Sequence, residues 1–130
     1  MKPLYKALPI LGLVVLGSCR TAQLHNTGRV PVQASSTEHM REAILQSLAA
    51  RRWVAAEDQP GLIQATLFVR AHTAKVRIEY DAESFSISYA DSNNLKYRKR
   101  ADGTEYIHGN YNNWVRILMQ EIAVRAGRSG

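Results

Sequence analysis

The chain has 130 residues, 17 of them basic and 11 acidic, and it contains one cysteine. This length suits a single domain. One cysteine excludes an intramolecular disulfide, so stability must come from an ordinary packed core. The net charge of +6 is too mild an excess to indicate a nucleic-acid-binding protein, and we expect no nucleic-acid partner.

The first 18 residues have the features of a secretory signal peptide. Lys2 and Lys6 supply positive charge ahead of a short apolar stretch at residues 8–16, which a proline and a glycine interrupt. A membrane-spanning helix needs about 20 apolar residues, so this stretch is too short to be one. We therefore predict that residues 1–18 are a signal peptide. Its removal takes two of the 17 basic residues and none of the 11 acidic ones, which leaves a net charge of +4.

The only cysteine directly follows the predicted signal peptide, in the sequence Leu16-Gly17-Ser18-Cys19. Gly17 and Ser18 are the small residues that a signal peptidase accepts next to its cleavage site. Lipidation, a structural thiol and an intermolecular disulfide are the alternatives for Cys19. Lipidation accounts for its position, its being the only cysteine and its small neighbours together.

The tetrapeptide resembles the lipobox of bacterial lipoproteins, which carry a type II signal peptide. The resemblance implies that signal peptidase II cuts before Cys19, whose sulfur then carries diacylglycerol and whose amine is acylated. Two or three acyl chains, at about 0.8 kcal/mol for each buried methylene, make such an anchor effectively permanent. In enteric bacteria an Asp after the lipidated cysteine favours retention in the inner membrane. Arg20 in that place implies a periplasm-facing protein of the outer membrane rather than the inner one.

The segment after the cysteine is expected to be a flexible tether. Residues 19–35 are mostly polar or small, include Gly28 and Pro31, and show little apolar periodicity. We place a single domain at residues 36–126 and a frayed C-terminus at residues 127–130.

Within residues 36–126, apolar periodicity predicts a helix, several strands and a second helix. A Ser-x-x-Glu capping box at Ser35 precedes a helix that ends near Arg51, and an asparagine-rich start near Asn110 precedes the second helix. The intervening residues alternate between apolar and polar. The sequence therefore predicts an α+β domain, with an antiparallel three- to four-stranded meander and an N-terminal and a C-terminal helix packed on one face. The alternating apolar positions are Ile63, Ala65, Leu67 and Val69; Val76, Ile78 and Tyr80; and Phe85, Ile87 and Tyr89.

Two polar surfaces are candidates for binding. The outward residues of the strands, among them Lys75, Arg77 and Glu79, form either a solvated sheet surface or a binding surface. Residues 91–109 are the least regular part of the domain, and they contain a cationic run. That run is either a solvated loop or a patch that contacts phosphate-bearing lipid or an acidic partner. Its members are Lys96, Tyr97, Arg98, Lys99 and Arg100.

A third candidate is a small polar site made of Tyr89, Ser92 and His108; the alternative is that His108 and its neighbours cap the second helix. Residues 107–115, together with the runs 78–80 and 89–95, resemble a set of small proteobacterial envelope lipoproteins. That resemblance covers most of the mature chain but implies no activity, because these lipoproteins have no assigned function.

No pattern of catalytic or metal-ligating residues is recognisable. The four histidines are scattered and none is paired at helical spacing, and there is no nucleophile motif. The candidate acid pairs Glu57/Asp58 and Asp81/Glu83 fall in predicted turns, where carboxylates are common. We therefore predict a non-enzymatic, lipid-anchored module without a cofactor or metal, whose partner is an envelope protein or peptidoglycan. The alternatives are a small-ligand or lipid-binding module with a pocket between helices and sheet, and a small envelope hydrolase.

Overall fold

The structure is a computed structural model that describes residues 20–128. In this range the chain forms eight strands and two helices, which confirms the α+β class. In chain order they are β1 (Thr21–Gln23), β2 (Val30–Pro31), α1 (Thr37–Ala50), β3 (Trp53–Gln59), β4 (Leu62–Val69), β5 (His72–Tyr80), β6 (Ser84–Asn93), β7 (Arg98–Lys99), β8 (Glu105–His108) and α2 (Gly109–Ala126).

Helix α1 begins one residue later than the capping box suggested. The side chain of Ser36 accepts a hydrogen bond of 2.9 Å from the amide of His39, so Ser36 is the N-cap residue. Met40, Ile44 and Leu48 recur one helical turn apart and are almost completely buried, as the periodicity predicted.

The larger sheet is antiparallel and has five strands in the order β2-β6-β5-β4-β3. Strands β3 to β6 are consecutive neighbours and form a four-stranded meander. One face of this sheet is apolar and lies in the single hydrophobic core that it shares with α1 and α2. Its buried side chains include Ile63, Ala65, Ala74, Val76, Ile78, Phe85 and Ile87.

The structure differs from the flexible tether expected over residues 19–35. β1 pairs with β8, β2 pairs with β6, and Leu24 between them is buried. The intervening side chains also complete the edge of β6: Asn26 accepts a 2.9 Å hydrogen bond from the amide of Tyr89, and Thr27 accepts one of 2.8 Å from Ile87. Strands of two or three residues are too short to show a period, whereas the unpaired amides of a sheet edge need partners.

The region 91–109 is also more regular than expected. β1, β8 and β7 form a second antiparallel sheet of three strands, in that order. β7 and β8 are joined by a tight turn in which Gly103 has a φ of +91°, a conformation that glycine adopts easily. Ile107 and Leu95 from this region are buried in the core. A two-residue strand rich in cations carries no apolar signal, so the sequence pattern did not reveal it.

Helix α2 follows β8 directly, and its apolar positions are buried at helical spacing, as predicted. It packs against α1 in the common core. The carboxylate of Glu121 in α2 accepts a hydrogen bond of 2.9 Å from Arg51, at the end of α1, and one of 2.7 Å from Arg125, one turn later in α2. Within residues 20–128, neither helix has the length and apolar character required to cross a membrane.

Candidate functional site

The proposed anchor lies outside the described residues. Leu16, Gly17, Ser18 and Cys19 all precede Arg20, where the description begins. Arg20 itself is held in the domain, because its carbonyl oxygen accepts a 3.1 Å hydrogen bond from the amide of Gly109. The next residue, Thr21, is paired with His108 in the small sheet. The first described residue is therefore held against the junction of β8 and α2.

Three tyrosines form a cluster where the two sheets meet. The rings of Tyr89 and Tyr97 are stacked with centroids 4.4 Å apart, and Tyr111 meets Tyr89 edge-on at 5.7 Å. The Tyr97 hydroxyl donates a hydrogen bond to Glu105, which together with desolvation raises the pKa of Tyr97 to about 12. Burial also raises the pKa of Tyr111 above its ordinary value. No described group hydrogen-bonds to the Tyr111 hydroxyl.

The tyrosine cluster holds the side chain of Tyr97 against the domain. In one of the two interpretations of the cationic run, Tyr97 belongs to a patch that contacts a partner, but its ring is stacked on Tyr89 and only partly exposed. Another member of the run, Arg100, has its guanidinium carbon 4.1 Å from the centre of the Tyr106 ring. Lys96, Arg98, Lys99 and Arg100 are all exposed. The cationic run thus combines four exposed cations, one of which lies over an aromatic ring, with a tyrosine that packs within the domain.

The small polar site is only partly assembled. The hydroxyls of Tyr89 and Ser92 are hydrogen-bonded at 2.7 Å. Desolvation raises the pKa of Tyr89. His108 instead acts as the N-cap of α2, where its Nδ1 accepts a 3.2 Å hydrogen bond from the amide of Asn110. The structure therefore brings together Tyr89 and Ser92 and gives His108 the capping role.

The outward face of the larger sheet is an ordered polar surface. In the strand register, Gln64 of β4, Arg77 of β5 and Ser88 of β6 lie side by side across the sheet. Arg77 also pairs with Glu79 along its own strand, at 3.2 Å. The row above contains Thr66, Lys75 and Asp91, and the row below contains Leu62, Glu79 and Ser86. We call the residues of these three rows the open sheet face.

The depressions in the surface are open to solvent rather than enclosed. Several have volumes of about 250 to 420 Å³. The most apolar, at about 250 Å³, lies between α2 and the connection from β1 to β2. Asn112 closes one side of it: its side chain accepts a 3.0 Å hydrogen bond from the amide of His25 and donates one of 2.9 Å to the carbonyl of Gln23. Tyr111 and Trp114, the aromatic residues near this groove, pack in or against the core.

Among residues 20–128, no group of three or more His, Cys, Asp or Glu side chains is placed to hold a metal ion. Comparison with known proteins finds no protein-family model that matches the chain and no curated protein with significant similarity to it.

Sequence reasoning missed two features of these surfaces. The first is the alignment of Arg77, which was predicted to face outward, with Gln64 and Ser88, because register across a sheet depends on turn lengths and on a bulge between Lys75 and Val76. The second is a set of cations in left-handed turns, which includes Arg52 and Arg70. Long charged residues carry no turn signal of the kind that Gly and Asn give.

Proposed function

We propose that this chain is a lipid-anchored envelope protein that acts by binding a partner rather than by catalysis. The anchor is Cys19, and the location is the periplasmic side of the outer membrane. The lipobox-like sequence before Arg20 supports the anchor, and the filled core with open surface depressions supports binding without an enclosed active site.

The binding surface in this proposal is the open sheet face, and its regular polar rows are the observation that carries it. Gln64, Arg77 and Ser88 present amide, guanidinium and hydroxyl groups side by side on rigid strands. The alternative surface in residues 91–109 is weaker, because Tyr97 and Arg100 are engaged in contacts within the domain.

The chemistry of this face fits a polar partner that carries carboxylates. The guanidinium of Arg77 can form paired hydrogen bonds with a carboxylate, and the flanking amide and hydroxyl side chains can accept or donate further ones. Envelope proteins and the peptide stems of peptidoglycan both offer such groups. A rigid sheet limits the conformational entropy lost on binding.

Site-directed photocross-linking in intact cells tests this proposal. A photoreactive amino acid replaces Ser88 on the open sheet face, and in a matched variant it replaces Gln120, an exposed residue of α2. We expect a discrete cross-linked adduct from position 88 and none from position 120. Adding Arg77→Glu should remove the adduct, because it reverses the charge at the centre of the face. An adduct that persists in the Arg77→Glu variant, or none from position 88, would contradict the proposed face.

A second candidate function is binding of a small apolar ligand in the groove beside Asn112. Its apolar lining favours this function, but its volume of about 250 Å³ lies just below the usual range of roughly 300–1,000 Å³ for ligand sites. Native mass spectrometry of the purified protein tests it. A bound small molecule that Met119→Arg displaces would favour this function over the first.

A further inference from the structure

The domain carries opposite charge at the two ends of its larger sheet. Three connections lie at one end of this sheet: α1–β3, β4–β5 and β6–β7. Because neighbouring strands are antiparallel, the start of β3, the end of β4, the start of β5 and the end of β6 all meet there. We call this the basic end and define it by Arg52, Arg70 and Lys96, together with Arg20. All four side chains are exposed, and no described carboxylate lies within 4 Å of any of them.

Arg20 belongs to this end through a continuous series of contacts. Asn94, two residues before Lys96, receives a 2.6 Å contact on its carbonyl oxygen from Nδ1 of His72, the first residue of β5. The carbonyl of Leu95 accepts a 2.9 Å hydrogen bond from His108, whose neighbour Gly109 donates to Arg20. The start of the described chain is therefore bound beside the turns that carry the cations.

The opposite end is acidic. It consists of the residue before β2, the start of α1, the hairpin of β3 and β4 with the end of β3, and the connection β5–β6. Its carboxylates outnumber its cations, and both cations are paired: Arg29 with Asp81 at 3.6 Å, and Arg41 with Glu38 and Asp58. The carboxylates of this end are Glu38, Asp58, Asp81 and Glu83.

The cations of the basic end occupy backbone positions that favour other residues. Four non-glycine residues in the described part of the chain have a left-handed φ: Arg52 at 68°, Arg70 at 54°, Asn94 at 62° and Lys96 at 57°. Glycine and asparagine adopt this conformation most readily. Turn geometry therefore does not account for an arginine or lysine at three of the four positions.

Exposed apolar side chains lie next to these cations. Phe68 is 63% exposed and precedes Arg70 by two residues, and Val54 is 55% exposed and follows Arg52 by two residues. Val54 is opposite Thr66 in the register, so it is a diagonal neighbour of Phe68 on the outward face. Exposed apolar groups flanked by cations are typical of surfaces that rest in the headgroup region of a membrane.

We infer that the basic end of the domain lies directly on the anionic phospholipid headgroups of the leaflet in which Cys19 is anchored. This inference rests on the proposed lipidation of Cys19. Because Cys19 is bonded to Arg20, its Cα lies about 3.8 Å from that of a residue fixed in the domain. The anchor limits the distance of the domain from the lipid, and attraction between the four cations and lipid phosphates sets its tilt. The strands of the larger sheet then stand on the membrane with the acidic end outermost.

Headgroup quenching in reconstituted vesicles tests this orientation. The full-length lipidated protein carries a fluorescent label on Ala71→Cys, at the basic end, or on Gln59→Cys, at the acidic end. Both positions are exposed and uncharged, and the eight residues of β4 separate them by about 26 Å. The sulfur of lipidated Cys19 is a thioether, so the introduced cysteine is the only labelled thiol. The vesicles contain phosphatidylcholine, phosphatidylglycerol and a lipid with a nitroxide on its headgroup.

We expect strong quenching at position 71 and weak quenching at position 59. The triple variant R52Q/R70Q/K96Q should reduce this difference. Glutamine leaves the left-handed backbone positions with an unbranched side chain of similar type and removes only the charge. Each cation near an anionic leaflet favours the state with the basic end on the headgroups roughly fivefold. Loss of three cations should therefore weaken that preference by about 100-fold. The control K99Q/R100Q/R116Q removes equal charge from exposed residues outside the basic end and should retain the difference.

The outcomes separate this inference from the proposed function. Equal quenching at both positions in a lipidated, membrane-bound protein would overturn the orientation and leave the anchor intact. An undiminished difference in vesicles without phosphatidylglycerol would overturn it too, because the cations would not be its cause. An unlipidated Cys19 in the mass spectrum of the purified protein would overturn the proposed anchor and this inference with it.

Discussion

The amide of Gly109 donates a 3.1 Å hydrogen bond to the carbonyl oxygen of Arg20, and this contact closes the start of the described chain onto the start of α2. Arg20 directly follows Cys19, where we propose the lipid anchor. A lipoprotein with a long flexible tether can sample many orientations at the membrane. This chain has no such slack between Arg20 and the domain, so the proposed anchor at Cys19 would hold the surface near Arg20 close to the lipid.

We expect Asn112→Ala to loosen the N-terminal segment. The side chain of Asn112 makes two hydrogen bonds with the backbone of residues 23 and 25, and its loss leaves both groups without a protein partner. The free energy of unfolding should fall by about 1–3 kcal/mol, as measured by urea denaturation. Asn113→Ala is the matched control, because the only described partner of that side chain is Arg116. Equal effects of the two changes would contradict the role assigned to Asn112.

Two substitutions of Tyr111 should change the free energy of unfolding in different ways. No described group bonds to this hydroxyl although the side chain is fully buried. Tyr111→Phe should therefore leave the free energy of unfolding unchanged or raise it by up to about 1 kcal/mol. Tyr111→Ala should lower it by about 3–5 kcal/mol, since it opens a cavity in the core. Clear destabilisation by the phenylalanine variant would show that the hydroxyl has a partner, such as a buried water.

Stability should decline in strongly alkaline solution. The pKa of Tyr97 is about 12 in the folded protein, raised by its hydrogen bond to Glu105 and by desolvation from an ordinary value near 10. The folded state therefore holds this proton more tightly than the unfolded state. Its stabilising effect is complete below pH 10 and is lost as the pH rises from 10 to 12. Ultraviolet titration of the wild type and Tyr97→Phe checks this: the difference between the curves should show a tyrosine that ionises near pH 12. A normal tyrosine titration near pH 10 would contradict the buried contact.

Acid should weaken the contact between the two helices. Hydrogen bonds from Arg125 and Arg51 lower the pKa of Glu121, so the folded state favours its ionised form. This contribution is present above the pKa of the carboxyl in the unfolded chain and disappears as the pH falls through the lowered pKa. We expect Glu121→Gln to destabilise the protein at neutral pH and to have progressively less effect in acid. Urea denaturation at several pH values measures the difference, and an effect independent of pH would argue against the ion pairs.

The parts of the fold that the sequence predicted are those with a long apolar period. The spacing of Met40, Ile44 and Leu48 predicted α1, and the alternation from Ile63 to Tyr89 predicted the central strands. The short strands β1, β2 and β7 contain two or three residues and depend on pairing partners distant in the chain. Local pattern cannot reveal such pairing, and for this reason residues 19–35 looked like a tether.

The candidate surfaces were predicted less well, for the same reason. The cationic run was recognised, but its division between Tyr97, which faces inward, and the exposed Lys96 follows from tertiary contacts. The basic end combines residues from four separate parts of the chain, so neither charge spacing nor motif could identify it. Capping by His108 was foreseen as an alternative, because the residue directly precedes a predicted helix.

The most direct test of the account is mass spectrometry of the mature N-terminus of the protein purified from bacterial membranes. Our account predicts that the first residue is Cys19, and that it carries the added mass of a diacylglyceryl group and an N-linked acyl chain. An N-terminal peptide that extends before Cys19, or one that begins with an unmodified Cys19, would contradict the lipid anchor and the orientation derived from it.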